Sequence, residues 1–118
     1  MRDHTKLRAF ELADQLALEI YKCTTNFPRE EQFGLTSQMR RAAISVPSNI
    51  VEGCARDSSS DYVRFLDIAF GSLRELEYQA SLAHRLGYLS GYESLDAILT
   101  ETSKVLAALI RSLRPPKT

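Results

Sequence analysis

The metal-ligating and carboxylate groups of this chain are two histidines, two cysteines and fifteen aspartates and glutamates. A di-metal site between helices needs Glu-x-x-His on inward-facing turns, because one helix face must offer two ligands to one metal pair. No glutamate here has a histidine three residues later, and neither His4 nor His84 has a second histidine four residues away. Cys23 and Cys54 stand in Tyr-Lys-Cys-Thr and Glu-Gly-Cys-Ala, without the Cys-x-x-Cys spacing of zinc or redox sites. They are expected to be reduced thiols on helices. No Gly-x-x-x-x-Gly-Lys or Gly-x-Gly-x-x-Gly phosphate cradle occurs, nor a Gly-x-Ser-x-Gly nucleophile turn. Glu75 and Glu77 lie two apart, and residues two apart on a helix do not face each other. The residues therefore predict no catalytic group, no metal and no cofactor.

The most unusual polar pattern is Arg41, Ser45, Asn49, Glu52 and Arg56, at spacings of four, four, three and four. They share one face of a helix, opposite Val46 and Ile50. Such a row either binds an anion or a partner, or is an internal hydrogen-bonded network. The second reading is preferred: Glu52 sits between cations, and Ser45 or Asn49 repairs backbone bonds lost at Pro47. Glu75 is expected to join that network. A second pattern lies at the ends. Arg2, Lys6 and Arg8 outweigh Asp3 in residues 1–8, and Arg111, Arg114 and Lys117 face no acid in residues 111–118. The ends thus carry +2 and +3, leaving −5 for the rest of a neutral chain. If the ends meet, they form a basic pole able to touch RNA, although no aromatic platform for single-stranded bases accompanies it.

Positioning these residues falls to helices, since apolar spacings of three and four dominate and no convincing alternation marks a strand. A first helix is expected from about Thr5 to Thr25, with Phe10, Ala13, Ala17, Ile20 and Thr24 on one face. Asn26-Phe27-Pro28 ends it. After a loop at residues 28–35, Thr36 is expected to cap a second helix. Its apolar face reads Met39, Ala43, Val46, Ile50 and Gly53. Pro47 removes one helical bond and crowds the Ala43 carbonyl, so a kink is expected, with a break as the alternative. Ser58 caps a third helix, from about Ser60 to Leu86, which Gly87 terminates. Ser90-Gly91-Tyr92-Glu93 fits a capping box for a fourth helix that runs through Leu113 and stops at Pro115-Pro116. Four helices with short connections predict one all-α domain over residues 1–118, an up-down-up-down antiparallel four-helix bundle.

The third helix has two apolar sides. Leu66, Ala69, Leu73, Leu76, Ala80, Ala83 and Gly87 form a seam of small and large residues. Ile68, Gln79, Leu82 and Leu86 lie well round from Leu66 and Leu73 at about 100° per residue. The apolar arc is about 200° wide, against the roughly 100° that a surface helix needs. One small bundle cannot easily cover both sides, so Ile68, Leu82 and Leu86 are assigned to a self-association surface, with cover by a loop or the chain termini as the alternative. Leu82→Glu is expected to break the oligomer while sparing the core.

The chain has 118 residues, 44% hydrophobic and 25% charged, with fifteen Lys and Arg against fifteen Asp and Glu. That suits one folded domain and argues against disorder. Zero net charge argues against a general nucleic-acid binder, which needs excess cations to displace phosphate counterions. No apolar run approaches the roughly 18 residues of a membrane span, and Met-Arg-Asp-His-Thr-Lys has no hydrophobic region behind it to make a signal peptide. A cytoplasmic location is the expectation.

The run FPREEQFGLTSQMRRAAISVPSNIVEGCAR, followed by DYVRFLDIAFGSLRELEYQASLAHRLGYL, resembles the four-helix bundle proteins encoded by intervening sequences in bacterial 23S ribosomal RNA genes. The matching landmarks are Phe27-Pro28, Glu31, Gly34-Leu35, Gln38, Arg41, Ser45, Pro47-Ser48-Asn49-Ile50, Glu52-Gly53, Gly71-Ser72, Glu75 and Glu77. Accessory variability proteins of diversity-generating retroelements, which are strongly basic and associated with reverse transcriptase and RNA, are similar to this family. The resemblance implies an antiparallel bundle that assembles into a homopentamer, with no catalytic residues. The chain departs from the family in having Phe10-Glu11 where a Trp-Gln pair is usual. The combined expectation is a non-enzymatic, self-assembling scaffold or adaptor for another macromolecule. The alternative is an RNA-binding accessory protein using Arg2, Lys6, Arg8, Arg111, Arg114 and Lys117.

Overall fold

The computed structural model describes residues 1–115, and among these every regular element is helical. Four α-helices follow in order: α1 (Arg8–Thr24), α2 (Leu35–Cys54), α3 (Ser59–Arg85) and α4 (Tyr92–Leu113). Short 3-10 helices precede α1 (His4–Lys6) and α2 (Arg29–Glu31). Each α-helix packs on its two neighbours, α1 on α2, α2 on α3, α3 on α4 and α4 on α1. The body measures 47 × 24 × 23 Å. Helices pack about 8–10 Å apart, so this cross-section is two helices by two. The 27 residues of α3 run almost its full length, at about 1.5 Å per residue.

Contacts gather the helix ends at two poles. At the first, the Arg2 backbone N–H donates to the Cys54 carbonyl at 2.8 Å, and its guanidinium reaches the Arg56 carbonyl at 3.2 Å and lies 4.2 Å over the Tyr62 ring. Arg114, just after α4, bonds Asp67 of α3 there. At the second pole, Tyr88 donates its hydroxyl to Glu31 Oε2 at 2.9 Å and packs against Phe27.

The core is the row Ala13, Leu16, Ile20, Met39, Ala43, Val46, Ile50, Leu66, Ala69, Leu73, Leu76, Ala80, Ala83, Leu99 and Leu106, all buried. The seam expected on α3 is this core, Gly87 apart. On α1 the buried stripe is rotated toward Ala9, Leu12 and Leu16, leaving Phe10 and Ala17 half-buried. Two buried threonines donate back along their own helices, Thr24 to the Ile20 carbonyl and Thr102 to the Ile98 carbonyl, both at 2.7 Å. That local bond is what admits a hydroxyl to an apolar interior.

Several end signals read differently in the structure. Ser58 Oγ does accept the Asp61 N–H at 3.1 Å, as expected. Gly87, at φ 80°, closes α3 with N–H bonds from Gly87 to the His84 carbonyl and from Tyr88 to the Ala83 carbonyl, a Schellman pair. Thr36 does not cap α2. The helix starts one residue before it at Leu35, and Glu31 Oε1 accepts the Leu35 N–H at 3.1 Å. Ser90 does not cap α4 either, because Gly91 at φ 70° takes the N-cap position without a side-chain bond. The first expected helix is split: Leu7 is extended, between a turn capped by Asp3 and the start of α1. At Pro47, α2 continues without interruption, which excludes the break.

Candidate functional site

The site with most to explain is the outer side of α2 and α3. Its floor is polar and satisfied. Ser45 Oγ of α2 meets Ser72 Oγ of α3 at 2.7 Å. Asn49 Nδ2 donates to the Ser45 carbonyl at 2.8 Å and to Ser45 Oγ at 3.0 Å. Proline at position 47 frees the Ala43 carbonyl, so Asn49 does not repair the bond lost there. It ties its own turn to the Ser45–Ser72 bridge. The other residues expected in an internal network lie outside it. Glu52 is exposed and pairs with exposed Arg56 at 2.9 Å. Arg41 and Glu75 are exposed, and among the described residues neither makes a side-chain hydrogen bond or ion pair. Arg41 has the spacing of the row and Glu75 lies on α3, but both are long charged side chains that keep their heads in water.

Above this floor the surface is apolar. Ile68 is 43% exposed, Leu86 50% and Ile44 of α2 44%. Leu82 is half-buried and Gln79 buried. Gln79 Oε1 has no hydrogen-bond partner among the described residues, a rare condition for a buried amide. Gly71, between Ile68 and Leu82, has nothing within 4 Å of where a Cβ would stand. Glu75 is seven residues after Ile68 and Arg41 three before Ile44, so each shares the side of its helix with an exposed apolar residue. The face is an apolar stripe that holds the exposed Glu75 between Ile68 and Leu82 on α3, with Arg41 beside Ile44 on α2.

The first pole is not a free basic surface. Arg8 pairs with Glu11 at 3.5 Å and Glu101 at 3.2 Å, and Arg114 is held by Asp67. Arg2 is half-buried against Tyr62. Lys6 and Arg111 are exposed and, among the described residues, unpaired. Lys117 lies outside the described residues.

Among the described residues no group of three metal-ligating side chains comes together. His84 stacks on Tyr92 at 4.3 Å, and His4 meets Phe10 edge-on at 4.7 Å. Both cysteines are free thiols. Burial, with Glu19 adding to it, pushes the Cys23 thiol up to about 11; burial also raises Cys54, and carries the Tyr62 phenol up to about 12. These groups are held in their neutral forms, the opposite of an activated nucleophile. The unfolded chain loses these protons near its ordinary values of 9.0 and 10.0, while the folded chain keeps them. Stability is therefore full below about pH 9 and falls as pH rises through the folded values. Thermal melts from pH 7 to 11.5 should show Tm falling from about pH 9 upward, and a flat profile would contradict this burial.

Two residues at the second pole have structural roles that the sequence reading did not assign. Arg40 Nε donates to Thr24 Oγ1 at 2.8 Å and Nη2 to the Tyr21 carbonyl at 3.3 Å, with the guanidinium 4.7 Å over the Tyr21 ring. Glu31 joins the Leu35 N–H to Tyr88 across the bundle. Glu31 is marked only as a landmark of the family resemblance, and Arg40 only by its position one turn inside α2.

With this geometry established, comparison places the chain among known proteins. The model of the 23S rRNA-intervening sequence protein family matches residues 5–108. The chain belongs to that family. The match spans α1 to α3 and most of α4, and includes the Ser45–Ser72 bridge. A solved structure from the S23 ribosomal protein family of Bacteroides thetaiotaomicron, described as a protein with unknown function, is similar at 26% identity. It covers 87% of this chain and 95% of its own, with a TM-score of 0.79. No curated protein matches. Family membership thus fixes the fold and carries no reaction with it. Among the described residues no helix is long and apolar enough to cross a membrane.

Proposed function

We propose that this family member is a non-enzymatic, self-assembling helical scaffold, closed into a ring of copies through the outer face of α2 and α3. The observation that carries this reading is the exposure of Ile68 and Leu86 on the second side of a helix whose first side is already fully buried. A stripe of that kind stays in water only at a free-energy cost of about 25 cal/mol per Å² of apolar surface. Covering it with a second copy removes that cost, with Ile68, Leu82 and Leu86 at the centre. Glu75 lies within that surface and Arg41 beside it, so that pairing of these opposite charges between neighbouring copies would set register. Five copies is the ring size the resemblance implies.

The RNA-binding alternative draws on Arg2, Lys6, Arg8, Arg111, Arg114 and Lys117. The pairing of Arg8 and Arg114 with carboxylates of the same chain weakens it. The test is the mass of the intact protein by light scattering and by native mass spectrometry at low salt. A discrete multiple of the 13.3 kDa chain mass supports the scaffold. A monomer at micromolar concentration overturns it, and an assembly carrying nucleic acid transfers the weight to the alternative.

A further inference from the structure

A second feature lies away from the assembly face, at the pole where α1 ends and α2 begins. An open cleft of about 350 Å³ is lined there by Thr24, Thr25, Arg29, Gln32, Thr36 and Arg40 among others, and no carboxylate lines it. Arg40 is held in place from below. Its two bonds to Thr24 and the Tyr21 carbonyl use two of the five guanidinium N–H donors, leaving three. Thr25 Oγ1 donates to the same Tyr21 carbonyl at 2.9 Å, so the floor under Arg40 is fully bonded. Arg29 is exposed and, among the described residues, has neither an ion pair nor a side-chain hydrogen bond. The nearest carboxylate in sequence with a fixed role, Glu31, is committed to Leu35 and Tyr88.

Arg29 and Arg40 both line this cleft, while Glu30, next to Arg29, is exposed and outside the lining, and an anion in the cleft would face both cations. We infer that this cleft binds a phosphoryl group, with Arg29 and Arg40 as its cationic jaws and Gln32 and Thr36 as neutral donors. Phosphate suits this donor set better than a carboxylate. It carries nearly two charges at neutral pH and offers more acceptor oxygens, and guanidinium groups match its geometry with paired bonds. Free phosphate and the 5′-phosphate of a nucleotide present the same chemistry.

The test is isothermal titration of the intact protein at pH 7 and constant ionic strength with inorganic phosphate, adenosine 5′-monophosphate and acetate in separate runs. A saturable heat with one site per chain is expected for a phosphate probe, and none for acetate. Arg29→Gln removes one jaw without touching a bonded group, so its circular dichroism should not change. It should weaken binding about tenfold, the loss of one charge-assisted hydrogen bond. Arg40→Lys keeps the charge but loses the fork, and should also weaken binding. Binding of inorganic phosphate that Arg29→Gln weakens means that the free anion suffices. Binding of the nucleotide alone, weakened in the same way, means that the phosphoryl group arrives on a nucleotide. Absence of binding by both probes, equal binding of acetate, or binding that Arg29→Gln leaves unchanged overturns the inference. Arg40, four residues before Ile44, borders the α2–α3 face, whereas Arg29 precedes α2 and lies off it, so Arg29→Gln tests the cleft apart from the assembly.

Discussion

A variant carrying both Ile68→Glu and Leu86→Glu is expected to run as a monomer while keeping its helical circular dichroism. Both side chains are about half exposed, so charges there reach water in the single chain and disturb the core little. Within an assembled interface the same carboxylates would be desolvated next to apolar atoms and beside the Glu75 carboxylate. That costs several kcal/mol at each interface, and every interface of a ring carries it. Light scattering should show the mass collapsing to one chain. Leu18→Glu on α1 is the control, because Leu18 is 59% exposed but stands away from this stripe. It should keep the wild-type mass. An unchanged mass for the double variant, or a collapse for the control, would place the interface elsewhere. Leu82→Glu is a poorer test than its sequence position suggests. Leu82 is half-buried, so its loss of assembly would be mixed with loss of folding.

The core was legible because it rests on one strong signal. Leu66, Ala69, Leu73, Leu76, Ala80 and Ala83 repeat at three and four, and all six are buried. Periodicity reports the direction in which a side chain leaves the helix axis, and burial follows from direction. The helix ends were less legible, because several chemistries satisfy the same free amides. Thr36 and Ser90 have side chains suited to capping, yet Glu31 and Gly91 perform those roles. Glu31 wins because the 3-10 turn of Arg29–Glu31 already places its carboxylate at the Leu35 N–H. Gly91 wins because only its positive φ turns the chain from the α3 terminus into α4 within so short a connection.

The polar row shows where such reasoning stops. Helix geometry correctly puts Arg41, Ser45, Asn49, Glu52 and Arg56 on one side of α2, but says nothing of how deep that side sits. Depth depends on where α3 lies, and the Ser45–Ser72 bridge fixes only the middle of the row as an interior seam. The short side chains, Ser45 and Asn49, bond within that seam. The long ones, Arg41 and Glu52, extend past it into solvent. A residue's spacing therefore assigns its side, and its length decides whether a half-covered side is interior or exterior. That distinction moves Arg41 and Glu75 from an expected internal network to the surface of a proposed interface. The cleft around Arg40 was invisible for a related reason. Its lining comes from the end of one helix, the loop after it and the start of the next, and no single periodicity connects them.

Gly53→Val is expected to destabilise the fold by about 3 kcal/mol, more than an ordinary surface change and against the usual preference for removing glycine from helices. A Cβ at Gly53 would lie 3.0 Å from Phe65 Cβ, 3.2 Å from Tyr62 Cδ1 and 3.2 Å from the Tyr62 carbonyl oxygen. Two of those three atoms are fixed by the backbone of α3, so no change of rotamer relieves the contact. The helices must separate, and Phe65 and Tyr62 would then lose their packing on α2. Valine adds two methyl groups to that crowding and is itself a weak helix former. For a chain of this size the loss corresponds to a fall in Tm of roughly 10 °C. Gly71 provides the matched comparison, since a Cβ there meets nothing within 4 Å. In the dissociated double variant, Gly71→Ala should raise stability by about 0.5–1 kcal/mol through helix propensity alone. Equilibrium urea unfolding measures both. A loss at Gly53 below about 1 kcal/mol, within the range of ordinary substitutions, would mean that α2 and α3 are not held this close. The Ser45–Ser72 bridge that floors the assembly face would then lose its structural basis.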